Sequence, residues 1–333
     1  MLMNSAEASL SALRCLLKDP SVIVIGEGVP DPKACFGTTR DVQRRYPNQV
    51  FDTPISENGM TGVCIGLAMN GFKPIHIHMR QDFLLYAMDQ IVNNAAKWHS
   101  MFGGVRSIPL VIKAFTGKGW GSGHQHSQNL ESIFAHIPGL KVVVPSCPVT
   151  AKGLLIAAVK DPNPVLLLES RWIHHLIAEV REESFETPIG KARLVQNGES
   201  VLIVTWGAMV SESIKARKLL DESVAVLDLL TLSPLDKLTL IAVAKRFKRV
   251  LIVSESWGFC GISSQISEIL LRNTKAEVEV MALKDCYPAS SPYANMDYYP
   301  TSYSIAKRIN PEIQITEPGI PKDIPDKSFT GPF

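Results

Sequence analysis

Residues 50–71 read VFDTPISENGMTGVCIGLAMNG, and this stretch decides the fold of the first half of the chain. An apolar run ends in Asp-Thr-Pro, one acid follows at Glu57, and a helical pattern with several glycines comes next. The pattern predicts a strand that delivers Glu57 to the start of a tightly packed helix. Because open α/β sheets bind ligands at the carboxyl ends of their strands, Glu57 is a candidate functional group. The alternative is an ordinary acid of a first helical turn, with Ser56 as the N-cap.

Composition is that of an ordinary globular protein. Of the 333 residues, 46% are hydrophobic and 20% are charged, and the formal net charge is +2. The charge balance gives no indication of nucleic acid or an anionic membrane surface as a partner, and the apolar runs are too short to predict a membrane span. The six cysteines include no C-x-x-C motif, and the N-terminus lacks the layout of a signal peptide. We therefore expect a reduced, cytoplasmic protein.

Strands alternate with helices along the whole chain. Apolar runs of buried-strand type at 21–26, 73–77 and 165–169 are separated by helical patterns, of which the longest covers 84–101. The pattern predicts an α/β protein with two doubly wound domains, each a largely parallel sheet covered by helices. A weakly periodic, charged stretch separates two such alternations. We place the domains at 1–185 and 199–333, with a linker at 186–198 and a loose tail from about residue 311.

Other motifs carry little chemistry. The glycine-rich loop 117–123 has neither Walker A nor G-x-G-x-x-G spacing, and no G-x-S-x-G elbow is present. Two histidine pairs at i,i+2 spacing lack further ligands in register, which disfavours a metal site; they are His76/His78 and His124/His126. The adjacent pair His174-His175 is most simply solvated surface. From the residues alone, an α/β enzyme and an α/β binding module both remain open.

Several longer segments resemble the beta subunit of the thiamine-diphosphate 2-oxoacid dehydrogenases, the decarboxylating component of the pyruvate and branched-chain type. They are DTPISENGMTG (52–62), DQIVNNAAK (89–97), HSQ (126–128), HIPGLKVVVPS (136–146), KGLLIAAVKDPNPV (152–165) and PIGKA (188–192). The likeness covers nearly the whole chain in order. It implies a transketolase-like pyrimidine-binding domain followed by a transketolase C-terminal domain.

The resemblance implies three catalytic residues. Glu57 matches the carboxylate that hydrogen-bonds the aminopyrimidine N1′ of thiamine diphosphate and shares a proton with it. Glu27 matches an acid near that glutamate, in a relay of carboxylates that links paired sites. His126 matches a histidine that lines the reaction centre and assists proton or acyl transfer.

The resemblance also implies contacts for the cofactor and for a structural ion. Phe83 matches the aromatic residue that stacks on the pyrimidine, Met79 and Ile55 match apolar neighbours of the ring, and Tyr86 lies one turn on from Phe83. Positions that hold a structural potassium ion in some family members are Leu110, Ala158, Val159, Asp161 and Asn163.

A motif of thiamine enzymes is absent from the sequence. The Gly-Asp-Gly followed by Asn-Asn, which binds the diphosphate through Mg²⁺, does not occur in this chain. The resemblance therefore implies an alpha subunit that holds the diphosphate and Mg²⁺ in an α2β2 heterotetramer. It further implies a small 2-oxo acid as substrate, oxidative decarboxylation and acyl transfer to lipoamide on a lipoylated acyltransferase core.

The chain departs from the family pattern after the third strand. Where family members read roughly Met-Thr-Phe-Asn-Phe, residues 79–83 read MRQDF. Arg80 either forms a structural ion pair with Asp82 or meets a carboxylate or phosphate of the substrate. The departure leaves two other functions open: a thiamine-diphosphate-dependent decarboxylase or carboligase without a lipoyl partner, and a non-catalytic assembly subunit.

Overall fold

A computed structural model describes residues 1–31, 33–117, 121–220, 223–291, 295 and 297–316. The chain folds into two compact units, each an α/β structure built on its own mainly parallel sheet, and this confirms the predicted fold class. The first unit comprises 1–116, 133–190 and 230–235, and the second comprises 117–132, 191–229 and 236–333. Each unit thus includes a short segment from elsewhere in the chain.

The described strands and α-helices run in chain order as follows. The strands are β1 (Leu2–Asn4), β2 (Val22–Gly26), β3 (Val50–Asp52), β4 (Lys73–His78), β5 (Val111–Thr116), β6 (Lys141–Val143), β7 (Val165–Ser170), β8 (Ile177–Glu179), β9 (Arg193–Gln196), β10 (Val201–Thr205), β11 (Val224–Asp228), β12 (Thr231–Ser233), β13 (Arg249–Trp257) and β14 (Glu277–Leu283). The helices are α1 (Ser5–Leu16), α2 (Val42–Arg45), α3 (Glu57–Met69), α4 (Trp98–Met101), α5 (Glu131–Ala135), α6 (Pro148–Lys160), α7 (Ala208–Lys218), α8 (Lys237–Ala244), α9 (Ile262–Asn273) and α10 (Ser302–Ile309).

The first unit is built on a seven-stranded sheet in the order β12-β6-β7-β5-β4-β2-β3. All neighbours pair in parallel except β12, which pairs antiparallel with β6. Strands β2, β5 and β7 are buried along their entire length. Because both faces of such a sheet are covered by helices, the central strands are apolar at nearly every position, which is how the sequence pattern identified them.

Helices α1 and α6 pack against each other and share one continuous apolar core with the sheet. Helix α1 begins at the N-cap Asn4, whose side chain accepts from the backbone N–H of Glu7 while Glu7 accepts from Asn4 in return. Helix α6 is buried over most of its length and includes the buried Lys152. That ammonium group donates to Ser11 Oγ and to two backbone carbonyls, so its burial is compensated.

The helix expected over 84–101 is not continuous. Residues Gln81–Ala87 form a 3-10 helix, Asp89–Ala95 form a π-helix, and only α4 is regular α-helix. Asp89 provides the local reason, because its carboxylate accepts from Asn93 and its carbonyl accepts from Asn94, five residues on. Side-chain amides that bond the backbone compete with α-helical hydrogen bonding. The prediction of one continuous helix over 84–101 was therefore wrong.

The second unit has a five-stranded sheet in the order β14-β13-β10-β11-β9. Its strands are parallel except for β9, which pairs antiparallel with β11 at the edge. The short strands β1, β8, β9 and β12 were not predicted; each pairs antiparallel with its neighbour. Of the tail expected from about residue 311, residues 317–333 lie outside the described residues. No described helix has the length and apolarity needed to cross a membrane.

Candidate functional site

Three acids meet at the carboxyl edge of the first sheet. Glu27 follows β2, Asp52 ends β3, and Glu57 is the first residue of α3. Strands β2 and β3 pair in parallel with Gly26 opposite Asp52, and the Asp52 carboxylate accepts from the backbone N–H of Gly28 at 3.0 Å. Gly26 is required here, because a Cβ atom would lie 2.3 Å from the carbonyl oxygen of Ile77 in β4. The backbone at Gly26 therefore runs close to β4, and the next residue, Glu27, lies in the cluster.

The acids influence each other electrostatically. Burial raises the pKa of the half-buried Glu27 above its ordinary value, and the negative charges of Glu57 and Asp52 raise it further. A carboxyl group in this position retains a proton to higher pH than an isolated glutamate. The raised pKa therefore suits Glu27 to hold and release a proton, which is the property that acid–base chemistry requires.

Glu57 occupies the helix start without an ordinary cap beside it. Ser56 occupies the N-cap position, as the alternative interpretation has it, but its side chain makes no capping hydrogen bond. The Glu57 carbonyl accepts from Thr61 Oγ1 at 2.6 Å. The side chain is half-buried in the first turn of α3.

The apolar residues implied to surround the pyrimidine differ in exposure. Met79 follows β4 and packs against the core, and Phe83 is half-buried in the 3-10 helix that lies against α3. Ile55 and Tyr86 are on the open surface, 84% and 71% exposed. Glu57 thus lies next to a second acid, Glu27, and the Phe83 ring and the Met79 thioether lie along the same edge. This combination of one polar group and apolar surface fits an aminopyrimidine.

His126 belongs to the second unit. Its backbone N–H donates to the Gly123 carbonyl at 3.5 Å, and its side chain is half-buried. The segment that carries it is anchored to that unit by Asn129, whose amide donates to the Glu255 carbonyl, and by Glu131. Glu131 accepts from the Trp206 indole at 3.2 Å, and burial raises the pKa of its carboxyl group. Residues 118–120 of the glycine-rich loop lie outside the described residues.

The positions implied to hold potassium lie at the opposite edge of the first sheet, around the end of α6. The Leu110 carbonyl accepts from Val165 N–H, and the Ala158 carbonyl accepts from Asp161 N–H. The Asp161 carboxylate accepts from Asn163 N–H at 3.0 Å and forms an ion pair with Lys141. Val159 is buried within α6. The Lys141 ammonium thus already pairs with Asp161, the acid among the positions implied to hold potassium.

The histidine pair of β4 is a buried contact rather than a ligand set. His76 Nδ1 lies 3.1 Å from His78 Nε2, and both rings are almost fully buried. Burial lowers the pKa of His76 to about 4, and burial and the neighbouring His76 lower that of His78 well below its ordinary value. Among the residues that the structure describes, no group of three or more His, Cys, Asp or Glu side chains could hold a metal ion.

A buried polar network in strands β5 and β7 was not predicted from the sequence. Glu169 in β7 forms an ion pair with Lys113 of β5 at 3.0 Å, and it accepts from Ser9 and pairs with His174 at 2.6 Å. His174 is therefore not solvated surface as expected, although His175 is exposed. The available signal was a lysine and a glutamate inside two otherwise apolar strands, since a buried charge requires a partner.

Comparison with known proteins places this geometry in a family. The model of the transketolase pyrimidine-binding domain matches residues 3–173, and the model of the transketolase C-terminal domain matches residues 190–305. The beta subunit of acetoin:2,6-dichlorophenolindophenol oxidoreductase from Cupriavidus necator is 37% identical over 308 residues, covering 87% of this chain and 91% of that protein. The beta subunits of the pyruvate dehydrogenase E1 component from Rickettsia bellii and Acholeplasma laidlawii are 36% and 38% identical, covering 81% and 78% of this chain and 86% and 80% of theirs.

Solved structures show the same fold at lower identity. A split-gene transketolase described as an inactive β4 tetramer superposes with a TM-score of 0.75 at 19% identity, covering 93% of this chain and 98% of that one. Transketolase from Leishmania mexicana gives 0.69 at 18% identity, covering 94% and 45%. The chain consists of a transketolase pyrimidine-binding domain followed by a transketolase C-terminal domain. Together with the identities above, these matches show that it belongs to the family of the beta subunits of the pyruvate dehydrogenase E1 component.

Proposed function

We propose that this protein is the beta subunit of a thiamine-diphosphate-dependent 2-oxoacid dehydrogenase-like enzyme. Such an enzyme decarboxylates a 2-oxo acid oxidatively and transfers the acyl group to lipoamide. The observation that carries the proposal is the placement of Glu57 beside Glu27 at the carboxyl edge of the first sheet, in a chain of this family. Open α/β sheets bind their ligands at this edge.

The chain's own residues would hold the pyrimidine half of the cofactor. Phe83 and Met79 offer apolar surface to the ring, and the Glu57 carboxylate would bind and share the proton at N1′. When bound, thiamine diphosphate supplies an electron sink for the carbanion that decarboxylation leaves. Glu27, whose pKa is raised by burial and by Glu57, would store and return a proton beside it. His126 is assigned proton or acyl transfer on the substrate side.

The diphosphate half would come from another chain. This sequence lacks the Gly-Asp-Gly and Asn-Asn motif, so the proposal includes an alpha subunit that holds the diphosphate and Mg²⁺ in an α2β2 heterotetramer. The product acyl group would pass to a lipoylated acyltransferase core. We place the enzyme in the cytoplasm, an assignment supported by the absence of any disulfide among its six free cysteines.

Co-purification with a candidate alpha subunit, followed by calorimetry, tests the shared site. Thiamine diphosphate with Mg²⁺ is titrated into each chain alone and into the mixture. Tight binding in the mixture alone is expected, because each chain would hold only half of the cofactor. Tight binding by this chain alone, or no binding by the mixture, would overturn the proposal.

A Glu57→Gln substitution tests the catalytic role directly. The amide keeps the size of the side chain but cannot share a proton with N1′, so the assembled variant should lose decarboxylation by at least about 100-fold. Assembly and the midpoint of thermal unfolding should stay close to those of the wild type, because Glu57 is only half-buried. Wild-type turnover of 2-oxo acids by this variant would exclude the mechanism.

A second candidate function keeps the cofactor and changes the acceptor. The Cupriavidus relative is named for acetoin, an acyloin, and for an artificial electron acceptor, which favours considering a decarboxylase or carboligase without a lipoyl partner. Acyl transfer from the assembled enzyme to a lipoylated domain separates the two functions. Decarboxylation without such transfer would favour the second, and a complex without either activity would leave the non-catalytic assembly subunit.

A further inference from the structure

A chain of buried polar groups joins the strand and the helix that carry the candidate site. Strand β4 ends at His78, directly before Met79, and helix α3 begins at Glu57. The Thr61 hydroxyl donates to the Glu57 carbonyl at 2.6 Å, and Thr61 Oγ1 lies 3.2 Å from His76 Nδ1. His76 Nδ1 in turn lies 3.1 Å from His78 Nε2. The hydrogen-bonded chain thus runs from the first turn of α3 to the last residue of β4.

The three side chains that form these contacts are buried. Thr61 is 0% exposed, His76 is 2% exposed and His78 is 3% exposed. In the register of the sheet His76 lies between Ile25 of β2 and Ile112 of β5, so its neighbours across the strands are apolar. Apolar residues at these positions would avoid the cost of taking polar groups out of water. A hydrogen-bonded network instead fixes one geometry, because its partners tolerate little change in distance or angle.

The positions of the protons follow from these hydrogen bonds. Thr61 has one hydroxyl proton and directs it to the Glu57 carbonyl, so Thr61 Oγ1 accepts from His76. His76 must then carry its proton on Nδ1. His78 Nε2 faces the same N–H and accepts as well, which leaves the proton of His78 on its own Nδ1. Both rings are neutral, because burial lowers the pKa of each, to about 4 for His76.

The start of α3 requires support of this kind. Ser56 at the N-cap position makes no side-chain capping bond, and the helix contains Gly59, Gly62 and Gly66. Glycine weakens a helix because it loses more conformational freedom on folding than other residues do. A catalytic group that is displaced by about 1 Å can lose about 100-fold in rate. The position of Glu57 therefore depends on contacts made further along α3.

We propose that Thr61, His76 and His78 are positioning residues that tie the first turn of α3 to the end of β4. The tie sets the distance between the Glu57 carboxylate on the helix and Met79 after the strand, the two sides between which the pyrimidine would lie. The three residues act through Glu57 and Met79 and not on the cofactor itself. Positioning of the pyrimidine rests on the function proposed above, whereas the tie between α3 and β4 does not.

The proton positions are testable in the wild-type chain. With 15N-labelled histidine, NMR of the imidazole nitrogens distinguishes the two neutral tautomers, and His76→Gln and His78→Gln identify the two rings among the eight histidines. Both rings should hold their proton on Nδ1 at pH 7. A proton on Nε2 of His76 would break the bridge through Thr61 and overturn the proposal. This measurement decides the proposal even if a substitution at Thr61 prevents folding.

Amide hydrogen exchange of the full chain tests the tie itself. Thr61→Val keeps the shape of the side chain and removes the hydroxyl, whereas Thr61→Ser keeps the hydroxyl. The amides of residues 60–65 should exchange at least about 10-fold faster in Thr61→Val than in the wild type, and Thr61→Ser should stay close to the wild type. The matched control, Thr205→Val, removes a buried hydroxyl that donates to the Val253 carbonyl in the second unit, and it should leave this segment unchanged. Equal exchange in Thr61→Val and the wild type would overturn the tie.

Cofactor binding by the assembled enzyme separates positioning from a merely structural tie. Thr61→Val should raise the Kd of thiamine diphosphate with Mg²⁺ by about 10-fold and lower kcat at saturating cofactor by about 10- to 100-fold. Thr61→Ser should restore both quantities, and Thr205→Val should change neither. Faster exchange in Thr61→Val with unchanged cofactor binding and kcat would overturn the positioning role. If the wild-type complex binds no thiamine diphosphate, the proposed function fails, while the tautomers and the exchange rates still decide the tie.

Discussion

At the scale of single residues, the charges around each acid distinguish the acids of the proposed site from a structural carboxylate. Burial raises the pKa of Glu27, and the like charges of Glu57 and Asp52 raise it further. Glu169 has the opposite environment. Burial alone would raise its pKa, but the charge of Lys113 and hydrogen bonds from His174 and Ser9 outweigh burial and hold it at about 2. Glu27 can exchange a proton because its pKa is raised, whereas Glu169 stays ionised and is fully partnered.

Replacing Glu169 by Gln should destabilise the protein strongly. The substitution leaves the buried Lys113 ammonium without a counter-charge, which costs about 3 kcal/mol or more in the free energy of unfolding. The matched control is Glu186→Gln, which removes an acid from the exposed pair with Lys160 and should cost within about 0.5 kcal/mol. Urea unfolding of both variants measures the difference. Equal losses would show that the buried pair contributes no more than a surface pair.

At the scale of elements, helix starts and helix irregularities position the site. The glycine-rich helix α3 begins at Glu57 without a side-chain cap, and the 3-10 and π-helical segments carry Phe83 and the residues that follow it. π-Helical turns are rare and are frequent at functional sites. By contrast, α1 lies away from the acids and begins with a complete capping box. The regular cap thus belongs to α1, whereas the uncapped helix start and the 3-10 segment carry residues of the proposed site.

Replacing the N-cap of α1 should therefore cost stability without affecting chemistry. Asn4→Ala removes the acceptor for the Glu7 N–H, a contact of 2.9 Å, and should lower the free energy of unfolding by about 1 kcal/mol. Asn4→Asp retains an acceptor and should remain close to the wild type. Urea unfolding of the two variants provides the test. An alanine variant as stable as the aspartate variant would mean that the capping box does not contribute to α1.

At the scale of the whole molecule, the balance of buried titratable groups sets the response to pH. His76 and His78 are buried in the neutral form, with the pKa of His76 lowered from 6.5 to about 4. Between those values the unfolded chain binds protons that the folded chain does not, so stability is lost as the pH falls. Glu27 and Glu131 act in the opposite direction, because their raised pKa values let the folded state take up protons first.

The histidine contribution is isolated by comparing variants. From about pH 7 to about pH 5 the wild type should lose more stability than His78→Gln, by roughly 1 kcal/mol per pH unit for a histidine that cannot be protonated when folded. His99→Asn, which replaces an exposed histidine, should follow the wild type. Urea midpoints at several pH values measure the slopes. Parallel slopes for the wild type and His78→Gln would show that the buried pair is not protonated on unfolding.

The sequence alone determined the alternation of elements and the candidate acids. Buried parallel strands are mostly apolar, so β2, β4, β5 and β7 could be located from their residues even though β4, β5 and β7 also contain polar ones. Glu57 stood out as the acid at a strand-to-helix junction. The resemblance to a family then assigned roles that spacing could not. Edge strands such as β9 stayed invisible, because a short pairing is stabilised by its neighbour rather than by its own pattern.

Only the tertiary structure decided which distant residues share an environment. Nothing in the spacing of Arg80 and Arg171 predicts that both meet the ring of Phe36, and nothing in HH at 174–175 distinguishes the buried histidine from the exposed one. Such groupings depend on the order of strands within the sheet, which sets β4, β5 and β7 side by side. Local patterns follow from neighbours along the chain, whereas burial and electrostatic partners follow from neighbours in space.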